Sequence, residues 1–172
     1  MQCESIISQI KSRGNIDRGM YLPGSTPIST YRFDAASIEI EPGLLLHDAV
    51  WSAFSACNHL ALDVDDIDVV LMLEYQPGTY LAPHADWSPD IAPHRKLSLT
   101  VQLSDADAYS GGDVVIQRFG SHTGSFGQDL FVAPKRRGMC IVWPAWTVHW
   151  VTPLGAGTRY SLVAWAKGPN FR

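Results

Sequence analysis

From Ile67 onward the chain is a succession of short β-rich runs separated by Gly, Pro, Asp and Ser, at 67–75, 95–103, 113–119, 129–133, 138–143, 147–152 and 158–166. Ahead of them, Ile6, Ile7 and Ile10 predict a short helix ending near Gly14. Leu45, Val50, Phe54, Cys57 and Leu60 predict a longer helix over 44–62, and residues 29–40 alternate enough to predict an edge strand between the two. Two helices followed by many short strands make a mainly β fold, a distorted jelly roll or double-stranded β-helix with helices packed on one sheet. The run 95–103 states this most clearly. Leu97, Leu99, Val101 and Leu103 share one face, fit for burial against helices, while Ser98, Thr100 and Gln102 share the other, fit to line a cavity. Gly111-Gly112 reads as a tight turn or bulge.

At 172 residues the chain predicts one domain, with helical support over 1–62 and a jelly-roll core over about 65–167. Its apolar runs are too short and too broken to span a bilayer, and its first ten residues lack a basic then apolar leader, so cytoplasmic residence is expected. Three cysteines have neither disulfide nor zinc spacing; Cys57 and Cys140 are expected to be buried thiols. A net charge of −4 argues against a nucleic-acid partner. The one basic cluster, Lys135-Arg136-Arg137, reads as a solvated turn before a strand.

Within this frame stand three residues with metal chemistry: His84 and Asp86, two positions apart, and His149, 63 positions after Asp86. Two imidazoles and a carboxylate on one face of an octahedron are the ligand set of non-haem Fe(II) oxygenases, because they leave three positions open. His47, His59, His94 and His122 have no such company. After His149 the segment Pro153–Gly157 reads as a hairpin loop, which would set Val151 opposite Arg159 and His149 opposite Ser161. Alternation would then place His149, Val151, Arg159, Ser161 and Trp165 on one face. A guanidinium beside a metal suggests an anchor for a dicarboxylate.

The order of motifs, Tyr75-Gln-Pro-Gly-Thr-Tyr80, His84-Ala-Asp86, Arg95 to Asp105, Tyr109-Ser-Gly111-Gly112-Asp113 and His149 to Arg159 ending at Trp165, resembles the 2-oxoglutarate and Fe(II)-dependent oxygenases. Within them it resembles the prolyl 4-hydroxylase-like branch that includes bacterial PKHD-type hydroxylases. The resemblance implies His84, Asp86 and His149 as iron ligands and Arg159, with Ser161 as neighbour, as holder of the distal carboxylate of 2-oxoglutarate. It also implies Tyr75 and Trp165 as pocket aromatics. Where many relatives have tyrosine on the strand after the metal pair, this chain has Gln102, whose amide is expected to donate to the carboxylate instead. The implied cofactors are Fe(II), 2-oxoglutarate and O2.

The implied reaction is hydroxylation of an unactivated C–H bond, which Asp86 favours over halogenation. A prolyl residue of a peptide or protein is the expected substrate, with a free amino acid, a small metabolite, or a non-catalytic metal-binding module as alternatives. Two loops, 87–94 and 119–128, carry turn formers and are expected to be mobile. The first leaves the metal pair directly, so Trp87, with Tyr80, is the expected substrate contact.

Overall fold

The computed structural model describes residues 2–12, 34–38, 45–118 and 129–171. The alternation in 95–103 is realised in β4 (Arg95–Gln102), an interior strand of the larger of two main sheets. That sheet runs β1 (Asp34–Ile38), β2 (Asp66–Tyr75), β11 (Arg159–Lys167), β4 and β8 (Cys140–Pro144), every neighbour antiparallel. The smaller one runs β3 (Leu81–His84), β9 (His149–Val151), β6 (Val114–Arg118) and β7 (Asp129–Val132). A short ladder joins β5 (Tyr109–Gly111) to β10 (Leu154–Gly157).

Two cores follow from the two faces of the larger sheet. On its outer face α2 (Leu45–Cys57) inserts Val50 and Phe54 among Val70, Met72, Leu97, Leu99, Leu162 and Ala164. Helix α1 (Gln2–Ser12) adds Cys3, Ile6 and Ile7. Between the sheets Leu73, Tyr75, Val114, Ile116, Trp143 and Val151 form the second core. Phe54 has no exposed surface, so Phe54→Ala removes a full aromatic ring from a close-packed layer. We expect it to lower unfolding free energy by about 3–5 kcal/mol in urea melts while leaving divalent-metal affinity intact, since the ring packs on the face away from the metal set.

Several sequence expectations need correction. Helix α2 stops at Cys57 rather than Leu62, because the Asn58 side chain folds back on Leu62, accepting from its N–H at 2.9 Å and donating to its carbonyl at 2.8 Å. Leu60 is therefore exposed and outside the core, and Leu45, at the other end of the helix, is exposed as well. Cys57 and Cys140 are exposed as well: one ends the helix and the other lies on an edge strand. The edge strand expected over 29–40 is described only as β1, and the loop 119–128 and His122 lie outside the described residues. The loop 87–94 is a bonded turn: Ser88 accepts from Ile91 N–H through its hydroxyl and from Ala92 N–H through its carbonyl, and the Trp87 indole donates to the Pro93 carbonyl.

The largest correction concerns 153–157. This stretch is no hairpin loop, for β9 and β11 belong to different sheets. It crosses between them and pairs with β5 on the way, Leu154 opposite Gly111 and Gly157 opposite Tyr109. The glycines permit close backbone approach: at φ +80°, a Cβ on Gly157 would lie 2.1 Å from the Ala108 carbonyl oxygen. Arg159 is consequently opposite Tyr75, and Ser161 opposite Leu73 and Gln102, while His149 pairs with His84 and Ile116.

Candidate metal centre

Strand pairing in the smaller sheet brings two imidazoles together. His84, the last residue of β3, is directly opposite His149, the first of β9, and their ring centroids are 4.3 Å apart. Asp86 follows two residues later, its turn pinned by two bonds: the Asp86 and Trp87 N–H groups both donate to the Ala145 carbonyl, at 2.9 and 3.0 Å. The carboxylate then lies between the rings, Oδ1 3.4 Å from His84 Nε2 and Oδ2 3.4 Å from His149 Nε2. One ligand atom from each residue lies within 4.8 Å of the others, close enough for one cation to bond all three.

The ring orientations are set by neighbours that can only accept. His84 Nδ1 is 2.9 Å from the Ala82 carbonyl oxygen and His149 Nδ1 is 3.0 Å from that of Thr147. Each Nδ1 must therefore carry the hydrogen, which leaves the Nε2 lone pairs facing Asp86 and available to a metal. Ser98, on the polar face of β4, donates to Asp86 Oδ2 at 2.6 Å and holds the carboxylate in register. The donor set suits a divalent transition metal of borderline hardness, Fe(II) included.

Burial alone would raise the Asp86 carboxyl, but His84, His149 and Ser98 together hold it well below the usual range. For His84 burial works downward and is overridden by Asp86, so its value lies above the ordinary 6.5. For His149 burial prevails and the value is lowered. Without a metal, Asp86 thus makes His84 hold a second proton, on Nε2, more firmly than a free imidazole would, and a cation taking that nitrogen's lone pair competes with the proton. Metal affinity should therefore weaken as pH falls from neutral through 6.5, with proton release visible in calorimetric titrations run in two buffers of different ionisation enthalpy. Equal apparent enthalpies in both buffers at pH 6.5 would contradict it.

Facing this cluster, the larger sheet carries a buried arginine, Arg159. Along β11 the inward residues are Arg159, Ser161, Val163 and Trp165, in register with Gln102, Thr100 and Ser98 of β4 from Ser161 onward. Arg159 is 2% exposed; its Nη1 donates to Ser161 Oγ at 3.2 Å, and its guanidinium carbon is 5.0 Å from the Tyr75 ring centroid. Its Nε is buried with no partner among the described residues. Burial lifts the Tyr75 phenol above its ordinary value despite Arg159, and Asp86 adds to the rise, so Tyr75 lies within reach of both charges. A small pocket opens here, lined by Arg159, Thr100, Gln102, Tyr109, Lys135 and Ile141 among others.

The structure thus brings together His84, Asp86 and His149, and beside them Arg159, Ser161, Tyr75 and Gln102, through facing sheets in place of the expected hairpin. Gln102 is placed as expected but differently engaged, its amide nitrogen donating to the Ser104 carbonyl at 3.2 Å and to the Tyr109 hydroxyl at 2.9 Å. Trp165 is beneath Arg95, whose guanidinium is 4.1 Å from its ring centroid, and Arg95 pairs with Asp68, as does His94. Trp87 packs edge-on against Phe171, 5.8 Å between centroids, and Tyr80 is half-buried just before β3, outside both the ligand cluster and the pocket lining.

Sequence reasoning missed Ser98, Tyr109, Lys135 and Trp143. The Trp143 ring is 4.8 Å from His149. Lys135, taken for part of a solvated turn, reaches back to the Gly111 carbonyl at 2.7 Å and Asp113 at 3.0 Å. Only Ser98 carried a signal, being polar on the face of β4 already assigned to the cavity.

Known proteins resemble the chain over this same region. A PKHD-type hydroxylase of Synechococcus sp. is 41% identical over 71 residues, 41% of this chain and 29% of the relative. One from Cupriavidus pinatubonensis is 35% identical over 98 residues, 53% of this chain and 39% of the relative. The aligned region thus spans well under half the length of these curated relatives. Among solved structures, a Pseudomonas putida prolyl-4-hydroxylase matches with a TM-score of 0.71 at 19% identity, covering 98% of this chain and 86% of the other. A Trichoplax adhaerens prolyl hydroxylase in complex with a hypoxia inducible factor peptide fragment matches with a TM-score of 0.72 at 15% identity, covering 97% and 79%. These likenesses agree on a double-stranded β-helix. The sequence model described as the 2OG-Fe(II) oxygenase superfamily matches residues 70–167, more than half the chain and all three residues of the His-Asp-His cluster, and the chain belongs to that superfamily.

Proposed function

We propose that the chain is an Fe(II)- and 2-oxoglutarate-dependent hydroxylase of an unactivated C–H bond, with a prolyl residue in a peptide or protein as its substrate. The observation that carries this reading is a His-Asp-His cluster and a buried, incompletely partnered arginine that border the same apolar core between the sheets, Trp143 lying 4.8 Å from His149 and Tyr75 5.0 Å from Arg159. In this reading His84, Asp86 and His149 hold the metal, Ser98 and the Ala82 and Thr147 carbonyls orient the ligands, and Arg159 holds the distal carboxylate of the co-substrate. Bound Fe(II) and 2-oxoglutarate supply the O2 activation and C–H oxidation. Tyr75, Trp143, Val163 and Ile141 wall the space between the sheets with apolar surface, which excludes water from the reacting groups. The relatives' names and the peptide bound to one structural neighbour support the prolyl assignment.

The test is succinate formation from 2-oxoglutarate with added Fe(II), measured against a panel of proline-containing peptides and of free amino acids. Stimulation by peptides, with a mass gain of one oxygen on proline, is the expected result. Stimulation by free amino acids alone would overturn the prolyl assignment, and no turnover with any of them, together with no binding of 2-oxoglutarate, would overturn the enzyme.

No helix among the described residues is long and apolar enough to cross a membrane.

A further inference from the structure

We infer that Tyr109 is a co-substrate-binding residue, its phenolic O–H serving beside Arg159 as a second donor to the distal carboxylate of 2-oxoglutarate, with Gln102 as the positioning residue that aims it. The inference deepens the reading of the pocket given above and rests on it.

The argument is a count of hydrogens. Gln102 has two amide hydrogens and spends them on the Ser104 carbonyl and the Tyr109 oxygen. Because a carbonyl can only accept, Ser104 fixes which end of the amide faces Tyr109, so the phenol is the acceptor in that contact. The phenol's own hydrogen is then turned away from Gln102, and none of the described residues accepts it. Tyr109 is only 7% exposed and lines the same pocket as Arg159, where an unsatisfied hydroxyl costs free energy unless a ligand completes it.

The other donors in the lining are already committed. The Thr100 hydroxyl donates to the Leu162 carbonyl at 3.3 Å, and the Lys135 ammonium spends two of its three hydrogens on Asp113 and the Gly111 carbonyl, which hold it to that side of the pocket. The donors left most open are the Arg159 guanidinium and the Tyr109 hydroxyl. Gly112 brings them together: at φ +61°, a Cβ there would lie 3.2 Å from Arg159 Cδ and 3.4 Å from Tyr109 Cε2, so the arginine stem and the tyrosine ring flank the same bare backbone position. Two donors of this kind, one charged and one neutral, match the two oxygens of one carboxylate.

The experiment is calorimetric titration of the Mn(II)-loaded, full-length protein with 2-oxoglutarate and with 2-oxopentanoate, which keeps the keto acid end and has a methyl group where the distal carboxylate would be. Tyr109→Phe should weaken 2-oxoglutarate roughly 10- to 100-fold, the range for a hydrogen bond to a charged group, and leave 2-oxopentanoate unchanged. Equal weakening of both ligands would mean that Tyr109 only supports the pocket, and no weakening of 2-oxoglutarate would mean that it makes no contact; either overturns the inference. If the unsubstituted protein binds Mn(II) but not 2-oxoglutarate, the reading of the pocket falls first and this assignment with it.

Discussion

His149→Ala should reduce turnover to background and lower divalent-metal affinity by more than about 100-fold, exceeding what the loss of an outer hydrogen-bond partner does to a metal site. In the proposed site the side chain is one of three ligands, it is 6% exposed, and its Nε2 lies 3.4 Å from Asp86 Oδ2. Without it Asp86 and His84 remain as a two-ligand site. Folding can be followed separately. A metal at 100 times its dissociation constant stabilises the native state by about 2.7 kcal/mol, so Mn(II) should raise the unfolding midpoint of the unsubstituted protein and leave that of the variant where it was. The same rise in both proteins would remove His149 from the ligand set.

How far the fold and site could be read from the chain differs residue by residue, for physical reasons. β4 was legible because its two faces meet different surroundings, helices on one side and a polar cavity on the other, and a period of two records that difference directly. The convergence of His84, Asp86 and His149 was legible because few side chains bind iron and few patterns leave coordination positions open. The connection after His149 was not, since a proline- and glycine-rich stretch looks the same whether it turns a hairpin or passes close against another backbone. Its partner, β5, lies more than forty residues earlier, and nothing local encodes that pairing. Arg159 and the His-Asp-His cluster still lie on facing sheets, around one apolar core. Tyr109 and Lys135 escaped notice for a related reason: a three-residue strand and a turn have no periodicity to show which way a side chain points. Gln102 was placed correctly, but its engagement depends on Ser104 and Tyr109, which only the folded chain brings to it.

Arg159→Ala should raise the 2-oxoglutarate requirement by roughly 30- to 4,000-fold, corresponding to about 2–5 kcal/mol for truncating one partner of a buried charged contact, while metal affinity stays unchanged. The guanidinium is almost fully buried; among the described residues it meets the Ser161 hydroxyl and Tyr75, and its Nε has no partner there. A buried cation left this incomplete is costly unless an anion joins it, so the free energy recovered on binding should be large. Arg159→Lys separates charge from shape, since an ammonium keeps the attraction but not the paired N–H donors; it should fall between the native protein and the alanine variant. The metal remains held by three residues on or beside the opposite sheet, so titration with Mn(II) should give the same affinity in all three proteins. An unchanged 2-oxoglutarate requirement in Arg159→Ala would move the anchor to Lys135, the other cation lining the pocket, and not to Lys96, whose ammonium is 3.3 Å from the centroid of the Phe171 ring and takes no part in the pocket lining.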